Sequence, residues 1–372
     1  MRQRSQRSSV VKNIELLIKP VSFDCNLSCS YCFYKSTADI YGAGRHLMED
    51  KTLETLISKA MQHSDGGLAV FSWQGGEPLL AGVPFYLKVV ELQKKYGKSG
   101  QRVGNSIQTN ATLLSPEYIK IFKEYSFLLG VSLDGDKLLH EFYRGKSFAG
   151  AMKGVDLLRK EGVDFNILTV INSCNANNPE DLYNFYLKEG FDFVQLIPCA
   201  EKDSTGKVTE FSVKPKAYGK FLCEFFDLWW NKGKPGISVR FFDNILEILA
   251  GYPATYCGFK NECSGYLALE YNGDIYPCDF FVKKEMKLGN IKEASFEECF
   301  KLSMEKFGVK KGTVNEKCIS CKWKYICNGG CLKYRLIKED NFSSPDYLCE
   351  AYREFFEYSI ERLKILAKGA GQ

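Results

Sequence analysis

Three cysteines near the start of the chain, Cys25, Cys29 and Cys32, have the spacing C-x3-C-x2-C and closely follow the mostly apolar run Ile14–Val21. Three thiolates this close together bind iron–sulfur iron well but leave a four-iron cluster one ligand short. The open iron could bind a substrate or cofactor. A zinc knuckle and three unrelated core cysteines are the alternatives. Zinc usually takes four ligands, and no histidine precedes His46, so a cluster is favoured.

Cysteine is the residue type in which this chain is unusual. It has fifteen cysteines but only three histidines among 372 residues. The sequence starts without the apolar core of a secretory signal, and a chain this long does not need disulfides to be stable. Clustered cysteines in such a chain more often bind metal, and soft thiolates select iron–sulfur clusters or zinc. We therefore expect thiolate-rich metal centres and a cytoplasmic location.

Charge and hydropathy exclude several classes of function. The net charge is only +5, and part of it lies in a basic stretch at residues 1–13. We predict that this stretch is a disordered tail and not a nucleic-acid-binding arm. Residues 367–372 form a second predicted tail. No apolar run approaches the roughly 18 residues that a membrane span needs, so we expect neither a membrane nor a nucleic acid as a partner.

Short apolar runs alternate with amphipathic stretches from residue 14 to residue 238. This alternation predicts six strands, each followed by a helix. The predicted strands are Leu16–Lys19, Leu68–Trp73, Val103–Thr109, Leu128–Leu133, Phe165–Ile171 and Phe193–Ile197. The predicted helices are about Asp50–His63, Pro84–Tyr96, Pro116–Tyr125, Phe148–Glu161, Pro179–Glu189 and Lys216–Asn231. Six β-α units indicate a parallel sheet, either an open doubly wound sheet or a barrel.

The pattern changes at about residue 239, so residues 239–366 are predicted to form a second domain. Two alternating runs around Asn272-Gly273 indicate a β-hairpin. Apolar residues at helical spacing predict a terminal helix over Tyr352–Leu366. Eight grouped cysteines lie in this region: Cys257, Cys263, Cys278, Cys318, Cys321, Cys327, Cys331 and Cys349. They suit either iron–sulfur clusters or two zinc-ribbon sites.

Two motifs in the first half of the chain resemble those of the radical S-adenosylmethionine (SAM) enzymes. One is the three-cysteine loop with the aromatic Tyr31 before Cys32, and the other is the Gln-Gly-Gly-Glu-Pro run at 74–78, which is similar to the GGEP motif of that family. The resemblance implies a partial (β/α)6 barrel whose chemistry lies on loops at the C-terminal ends of the strands. It also implies a 4Fe-4S cluster on the three cysteines, with SAM chelating the fourth iron.

The same resemblance implies which residues hold SAM. The backbone at residues 75–77 would hold the SAM amino group, and Arg144 would pair with the SAM carboxylate. Ser132 and Asp134 could hydrogen-bond to the ribose or the carboxylate, and backbone near Ala200 would lie beside the adenine. The full implied set is Tyr31, Gly75, Gly76, Glu77, Ser132, Asp134, Arg144 and Ala200.

The order of the C-terminal cysteines resembles the SPASM domain, an extension of some radical SAM enzymes that holds two auxiliary clusters. By this resemblance the nearer 4Fe-4S cluster is held by Cys257, Cys263, Cys278 and Cys331. The farther one is held by Cys318, Cys321, Cys327 and Cys349. The resemblance thus implies three 4Fe-4S clusters in all. The remaining cysteines are interpreted as small core residues: Cys174, Cys199, Cys223 and Cys299.

Longer stretches resemble the anaerobic sulfatase-maturating enzymes. They are CSYCFY at 29–34, FSWQGGEP at 71–78, NSIQTN at 105–110, YPCDFF at 276–281 and the cysteine-rich run at 318–331. The resemblance covers about Ile14 to Leu366 and departs at Asn110-Ala111, where a glycine is usual. It implies the anaerobic oxidation of one cysteine or serine of a sulfatase to Cα-formylglycine. A 5′-deoxyadenosyl radical would begin that reaction by taking a hydrogen from Cβ.

This resemblance also assigns a base and partners. Asp279, directly after Cys278, occupies the family position of the base that removes the thiol or hydroxyl proton. The nearer auxiliary cluster would accept the electron that leaves the substrate. The implied partners are an unfolded sulfatase segment with a Cys/Ser-x-Pro-x-Arg-type motif and a low-potential electron donor such as flavodoxin or ferredoxin.

Two other functions stay open on the sequence. A SPASM peptide maturase that forms thioether or carbon–carbon crosslinks in a ribosomal peptide would share all eleven cluster ligands. The thirteen or so residues before the first strand leave no room for a peptide-docking domain, and this favours the sulfatase substrate. A zinc-binding interaction protein without catalysis is the second alternative. The sequence leaves undetermined whether the target is cysteine or serine, which sulfatase and donor are used, and the oligomeric state.

Overall fold

A computed structural model describes residues 12–263 and 265–369 of the chain. Most of the predicted basic tail, residues 1–11, lies outside the described residues. Lys12 and Asn13 are described, and both make contacts: Lys12 Nζ pairs with Glu297 at 3.8 Å, and the amide of Leu68 donates to Asn13 Oδ1 at 3.2 Å. The predicted second tail begins three residues too early, because the terminal helix continues to Gly369.

The described residues form one sheet of ten strands in the order β10-β9-β8-β1-β2-β3-β4-β5-β6-β7. Neighbouring strands from β8 through β1 to β7 are parallel, whereas β8–β9 and β9–β10 are antiparallel. The strands are β1 Ile14–Lys19, β2 Leu68–Trp73, β3 Arg102–Thr109, β4 Leu128–Ser132, β5 Phe165–Ile171, β6 Phe193–Pro198, β7 Ser238–Val239, β8 Leu267–Glu270, β9 Asp274–Tyr276 and β10 Gly289–Asn290.

Helices connect and cover these strands. They are α1 Ala38–Tyr41, α2 Asp50–Ser64, α3 Val83–Tyr96, α4 Pro116–Glu124, α5 Lys137–Arg144, α6 Phe148–Glu161, α7 Pro179–Glu189, α8 Pro215–Trp230, α9 Arg240–Leu249, α10 Phe296–Lys306, α11 Glu316–Ile319, α12 Lys324–Cys327, α13 Leu332–Arg335 and α14 Cys349–Gly369. The six predicted β-α units are confirmed, with boundaries that differ by one or two residues. The short helix α5 and the helices α9 and α10 were not predicted.

Alternating apolar residues explain why the strands are buried. In β1 the side chains of Ile14, Leu16 and Ile18 point to one face of the sheet, as expected for a period of two, and all three are buried. Leu16 pairs in register with Phe71 of β2, which is also buried. On the opposite face Glu15 is exposed and Leu17 is partly buried, so β1 packs mainly through one face.

The C-terminal part of the chain joins the same sheet. The predicted hairpin at Asn272-Gly273 is confirmed as β8 and β9, and β8 pairs in parallel with β1, Leu16 opposite Leu267. The terminal helix α14 packs on α8 and α9, with the Phe355 ring 5.7 Å from Phe226 and 5.4 Å from Phe242. None of the described helices is long and apolar enough to cross a membrane.

Candidate active site

A cavity of about 600 Å³ lies at the C-terminal ends of β1 to β6. Parallel strands bring their carboxyl ends to the same edge of the sheet, so loops that are far apart in sequence meet there. The cavity is lined by the three-cysteine loop, the glycine turn after β2, Asn110 after β3, Ser132 at the end of β4, and Pro198 and Cys199 at the end of β6. The loops on which the sequence placed the chemistry therefore line a cavity.

The glycine turn is packed directly against the segment that leads into the cysteine loop. The amide of Gly76 donates to Ser22 O at 2.7 Å, and the amide of Glu77 donates to Asp24 O at 2.7 Å. A Cβ on Gly76 would lie 1.9 Å from Asp24 O, which no side chain tolerates. Gly75 has φ +143°, a backbone conformation that favours glycine. Glycine is needed here so that two backbones can touch.

The first three thiols share one end of this cavity, as the spacing predicted. Burial raises the pKa of Cys25 to about 11, and the neighbouring Cys29 and Cys32 add to the rise. All fifteen cysteines are free thiols in the described structure. Mutually repelling, partly buried thiolates need a cation to become stable, and a metal centre requires them deprotonated. The donor set therefore fits an iron–sulfur cluster that lacks one protein ligand.

Arg144 supplies a charge beside these thiols. It lies at the end of α5, buried, and Nη1 donates to the hydroxyl of Tyr31 at 2.7 Å. The Tyr31 hydroxyl in turn donates to Asp134. Within residues 12–263 and 265–369 the buried Nε of Arg144 has no hydrogen-bond partner. A buried donor without a partner costs roughly 1–3 kcal/mol, and an anionic ligand group in the cavity would satisfy it.

The predicted SAM residues divide into two groups. Five of them line the cavity: Tyr31, Gly75, Gly76, Ser132 and Arg144. Glu77, Asp134 and Ala200 are completely buried and do not line it. The carboxylates of Glu77 and Asp134 instead accept hydrogen bonds from neighbouring segments.

Hydrogen bonds show which parts of the site Glu77 and Asp134 hold in place. The Glu77 carboxylate accepts from the amide of Asn110 at 2.8 Å and from Thr109 Oγ1 at 2.7 Å, so it fixes the end of β3. Asp134 Oδ1 accepts from the amide of Val170 at 3.0 Å while its other oxygen accepts from Tyr31. The resemblance gave Glu77 a backbone contact with the SAM amino group and Asp134 a hydrogen bond to the ribose or the carboxylate. Both assignments stay predictions.

Asp279 lies in the same cavity as the three thiols and is surrounded by polar groups. Gln74 Nε2 donates to Asp279 Oδ2 at 3.0 Å, Lys19 Nζ is 3.6 Å from the same oxygen, and the Tyr266 hydroxyl donates to Oδ1 at 3.2 Å. Lys19 is buried, and burial lowers its pKa although Asp279 and Glu270 oppose that shift. Gln74 and Lys19 were not predicted as site residues, although each directly follows or ends a strand.

The inner set of thiols comes from three segments of the chain: Cys257 and Cys263 from one loop, Cys278 from the segment after β9, and Cys331 from the residue before α13. Burial raises the pKa of Cys257 to about 12, with Cys331 and Cys263 adding to it. Burial also raises the pKa of Cys278, to which Cys331 again contributes. These effects place Cys331 near both Cys257 and Cys278, and Cys263 near Cys257.

The outer set of thiols, Cys318, Cys321, Cys327 and Cys349, lines a second cavity of about 1170 Å³. Burial raises the pKa of Cys349 to about 11, and Cys318 and Cys321 contribute. The buried carboxylate of Asp346 lies between the two sets. One of its oxygens accepts from the amide of Cys331 at 2.8 Å, and the other from the amide of Leu348 at 2.7 Å.

Comparison with known protein families agrees with this geometry. Residues 20–186 match the radical SAM superfamily, and residues 257–322 match SPASM, described as an iron–sulfur cluster-binding domain. The first match contains the three-cysteine loop, the glycine turn and Arg144. The second contains the hairpin and five of the eight C-terminal cluster cysteines.

Whole-length relatives are more specific. A cysteine-type anaerobic sulfatase-maturating enzyme of Clostridium perfringens (strain 13 / Type A) is 37% identical over 361 residues, which cover 94% of this chain and 97% of the relative. A serine-type anaerobic sulfatase-maturating enzyme of Bacteroides thetaiotaomicron is 34% identical and covers 96% of this chain and 92% of the relative. Both target types are thus represented at similar identity.

A solved structure extends the likeness to three dimensions. The native enzyme anSMEcpe with bound AdoMet has a TM-score of 0.88 and 37% identity, covering 95% of this chain and 99% of that one. The predicted barrel with a SPASM domain and the predicted family are confirmed. The chain belongs to the anaerobic sulfatase-maturating enzymes, a family of radical SAM enzymes with iron–sulfur clusters.

Proposed function

We propose that this enzyme oxidises a cysteine or serine of a sulfatase segment to Cα-formylglycine. The observation that carries the proposal is that Asp279 shares one cavity with the three thiols and Arg144. A radical source and a proton acceptor are the two things that this oxidation needs within reach of one side chain. The anSMEcpe structure with bound AdoMet and the Cp18Cys peptide, 36% identical with a TM-score of 0.88, supports a peptide as the substrate.

SAM would bind where the cavity offers complementary groups. The unpartnered Nε of Arg144 is the proposed donor to its carboxylate. The amide of Gly76 already donates to Ser22 O. The carbonyl oxygens of the Gly75–Gly76 turn would therefore be the groups that accept from the SAM amino group. Ser132 lines the same wall. Glu77 and Asp134 would act by holding Asn110 and Tyr31 in place, and Ala200 by its backbone near Pro198 and Cys199.

When bound, the first cluster with SAM supplies a 5′-deoxyadenosyl radical, and the auxiliary clusters supply an acceptor for the electron that the substrate loses. The protein must then take one proton from the substrate sulfur or oxygen. Asp279 is the proposed base, held by Gln74 and Tyr266 so that its carboxylate keeps one orientation. Loss of a Cβ hydrogen, a thiol proton and an electron leaves a thioaldehyde, which water converts to the aldehyde.

We further propose three 4Fe-4S clusters, one on each grouped set of thiols, and a low-potential donor of the flavodoxin or ferredoxin type. The predicted division at residue 239 stands as a proposal, with residues 14–238 holding the first cluster and 239–366 the other two. Fifteen free thiols favour a reducing compartment, so we place the enzyme in the cytoplasm.

The experiment is anaerobic incubation of the reconstituted protein with SAM, reductant and a peptide containing Cys-x-Pro-x-Arg, read by mass spectrometry. Loss of sulfur and gain of the aldehyde is the expected change, and a serine peptide in parallel determines the target type. A peptide that loses only two hydrogens and resists aldehyde reagents would instead indicate the crosslinking maturase.

A further inference from the structure

Helix α5 exposes two large apolar side chains on one face. Leu138 is 81% exposed and Phe142 is 63% exposed. They are four residues apart, and residues at that spacing are neighbours on a helix surface. Burying such a pair would stabilise a contact with another molecule, and adjacent exposed apolar residues often mark interaction sites.

The same helix touches the loop that carries the first three thiols. The amide of Ser30 donates to Tyr143 O at 2.8 Å, and Arg144 donates to Tyr31. The ring of Phe142 is 4.7 Å from the ring of Tyr143, which is 6.0 Å from the ring of Tyr31. A single layer of aromatic side chains therefore separates the exposed face from the first ligand loop.

The border of this face is basic. Lys137 and Lys146 are exposed at its two ends. The two acids here, Asp136 and Glu141, are each partly buried, and Asp136 Oδ1 accepts from the amide of Leu139 at 3.0 Å. The most exposed charges at this border are therefore the two lysines. A small apolar centre whose most exposed charges are positive suits a weak, rapidly exchanging contact with an acidic protein.

We propose that the Leu138–Phe142 face is the docking site for a small acidic one-electron carrier protein. The inference rests on the proposed function, which needs one electron for each SAM cleaved. The carrier is oxidised by one electron, the first cluster is reduced by one electron, and no atom is transferred. The short path through Tyr143 and Tyr31 places the carrier at the cluster that must be reduced.

A second exposed apolar pair provides the alternative. Ile319 is 64% exposed and Tyr325 is 53% exposed, with the exposed Lys317 and Lys324 nearby in the sequence. In the sequence this pair lies between Cys318 and Cys327, two of the outer thiols, which line a different cavity from the first three. A donor bound there would be next to an auxiliary cluster and not next to the cluster that cleaves SAM.

The test compares two reductants on the reconstituted holoenzyme: flavodoxin hydroquinone, which must dock, and dithionite, which need not. The test variants are Leu138→Gln with Phe142→Gln, and Lys137→Glu with Lys146→Glu. The matched control on a remote exposed apolar site is Leu187→Gln with Lys188→Glu. The rival face is altered by Ile319→Gln with Tyr325→Gln. The Kd of oxidised flavodoxin is measured for each protein.

We expect both test variants to raise the flavodoxin Kd and to slow flavodoxin-driven SAM cleavage by about tenfold or more, with the dithionite-driven rate unchanged. The control should behave as the wild type. Unchanged flavodoxin binding and cleavage in both test variants, or their loss only in the Ile319 and Tyr325 variant, would overturn the proposal. If the wild type cleaves SAM but never forms aldehyde with either reductant, the proposed oxidation fails and the docking result still stands.

Discussion

Gln74 Nε2 donates to Asp279 Oδ2 at 3.0 Å although the two residues are 205 positions apart. Gln74 begins the turn after β2, and Asp279 lies three residues beyond Tyr276, the last residue of β9. The hydrogen bond therefore joins the barrel to the cysteine-rich segment inside the cavity. It leaves the carboxylate in one orientation, as a base needs.

Asp279→Asn tests whether this carboxylate is the base. The amide is nearly isosteric, so the clusters and SAM cleavage should be retained, whereas aldehyde formation should fall by roughly 10²–10⁴-fold. Iron content, 5′-deoxyadenosine and peptide aldehyde are measured on one preparation. Lost auxiliary iron would instead indicate a ligand, and a normal aldehyde yield would show a bystander.

Arg144→Ala removes the buried cation with the unpartnered Nε. SAM affinity should fall by roughly 1.5–3 kcal/mol, the value for a hydrogen bond to a charged group. Equilibrium binding of SAM to the reconstituted protein measures it. Arg159→Ala, at a partly exposed site on α6 away from the cavity, is the matched control. Equal SAM affinity in the two variants would contradict the assignment.

Gly76→Ala tests the contact between the glycine turn and the cysteine loop. The new Cβ would lie 1.9 Å from Asp24 O, so the two backbones must separate. We expect loss of SAM binding and of the first cluster, seen as lower iron content and a changed electron paramagnetic resonance signal. Gly236→Ala, where a Cβ meets no atom within 4 Å, is the control. Normal iron and SAM binding in Gly76→Ala would refute the contact.

The three sets of thiols should load iron independently. Full loading of three clusters is about twelve irons per chain. Replacing Cys25, Cys29 and Cys32 together by alanine should leave about eight and abolish SAM cleavage. Cys223→Ala, outside every set, should leave both unchanged. A triple variant that still forms 5′-deoxyadenosine would place the first cluster elsewhere.

His140 should make stability depend on pH. Burial lowers the pKa of His140 to about 3, and its Nδ1 accepts from the amide of Asp134 at 3.3 Å, which only the neutral ring can do. The unfolded chain takes up a proton near pH 6.5, so stability is present above that pH and is lost as the pH falls. Between pH 7.5 and 5.5 the loss should be about 1.4 kcal/mol.

Urea unfolding of the anaerobic protein at the two pH values measures this loss. His140→Gln should reduce the pH dependence by the same amount, since glutamine does not titrate. A pH dependence equal to that of the wild type would show that His140 is not responsible.

Regular local patterns explain what the sequence could predict. Apolar alternation in runs such as Phe165–Ile171 defines a strand whatever lies beside it. Asn272-Gly273 similarly specifies a hairpin by its own backbone preference. These features were therefore predicted to within one or two residues.

Long-range contacts explain what was missed. In the sequence, Lys19 is only the last residue of an apolar strand. Its ion pair with Asp279 forms because β8 pairs with β1 and brings the distant segment that carries Asp279 beside it. The Glu77 carboxylate is buried and accepts from Thr109 and Asn110 at the end of β3, two contacts that the Gln-Gly-Gly-Glu-Pro motif alone does not indicate. The strands β7 and β10 have only two residues each, which is too short to show an alternation of apolar and polar residues. They form because they can pair with the edge strands β6 and β9.

The pairing of β8 with β1 has a consequence for dividing the protein. β1 leads to the first ligand loop, and β8 satisfies the backbone groups along its outer side. A fragment that stops at residue 238 would keep every SAM-facing loop of the barrel and still present β1 as an open edge. Open edges recruit strands from other chains. Truncation after the barrel should therefore yield aggregates instead of a minimal SAM-cleaving enzyme.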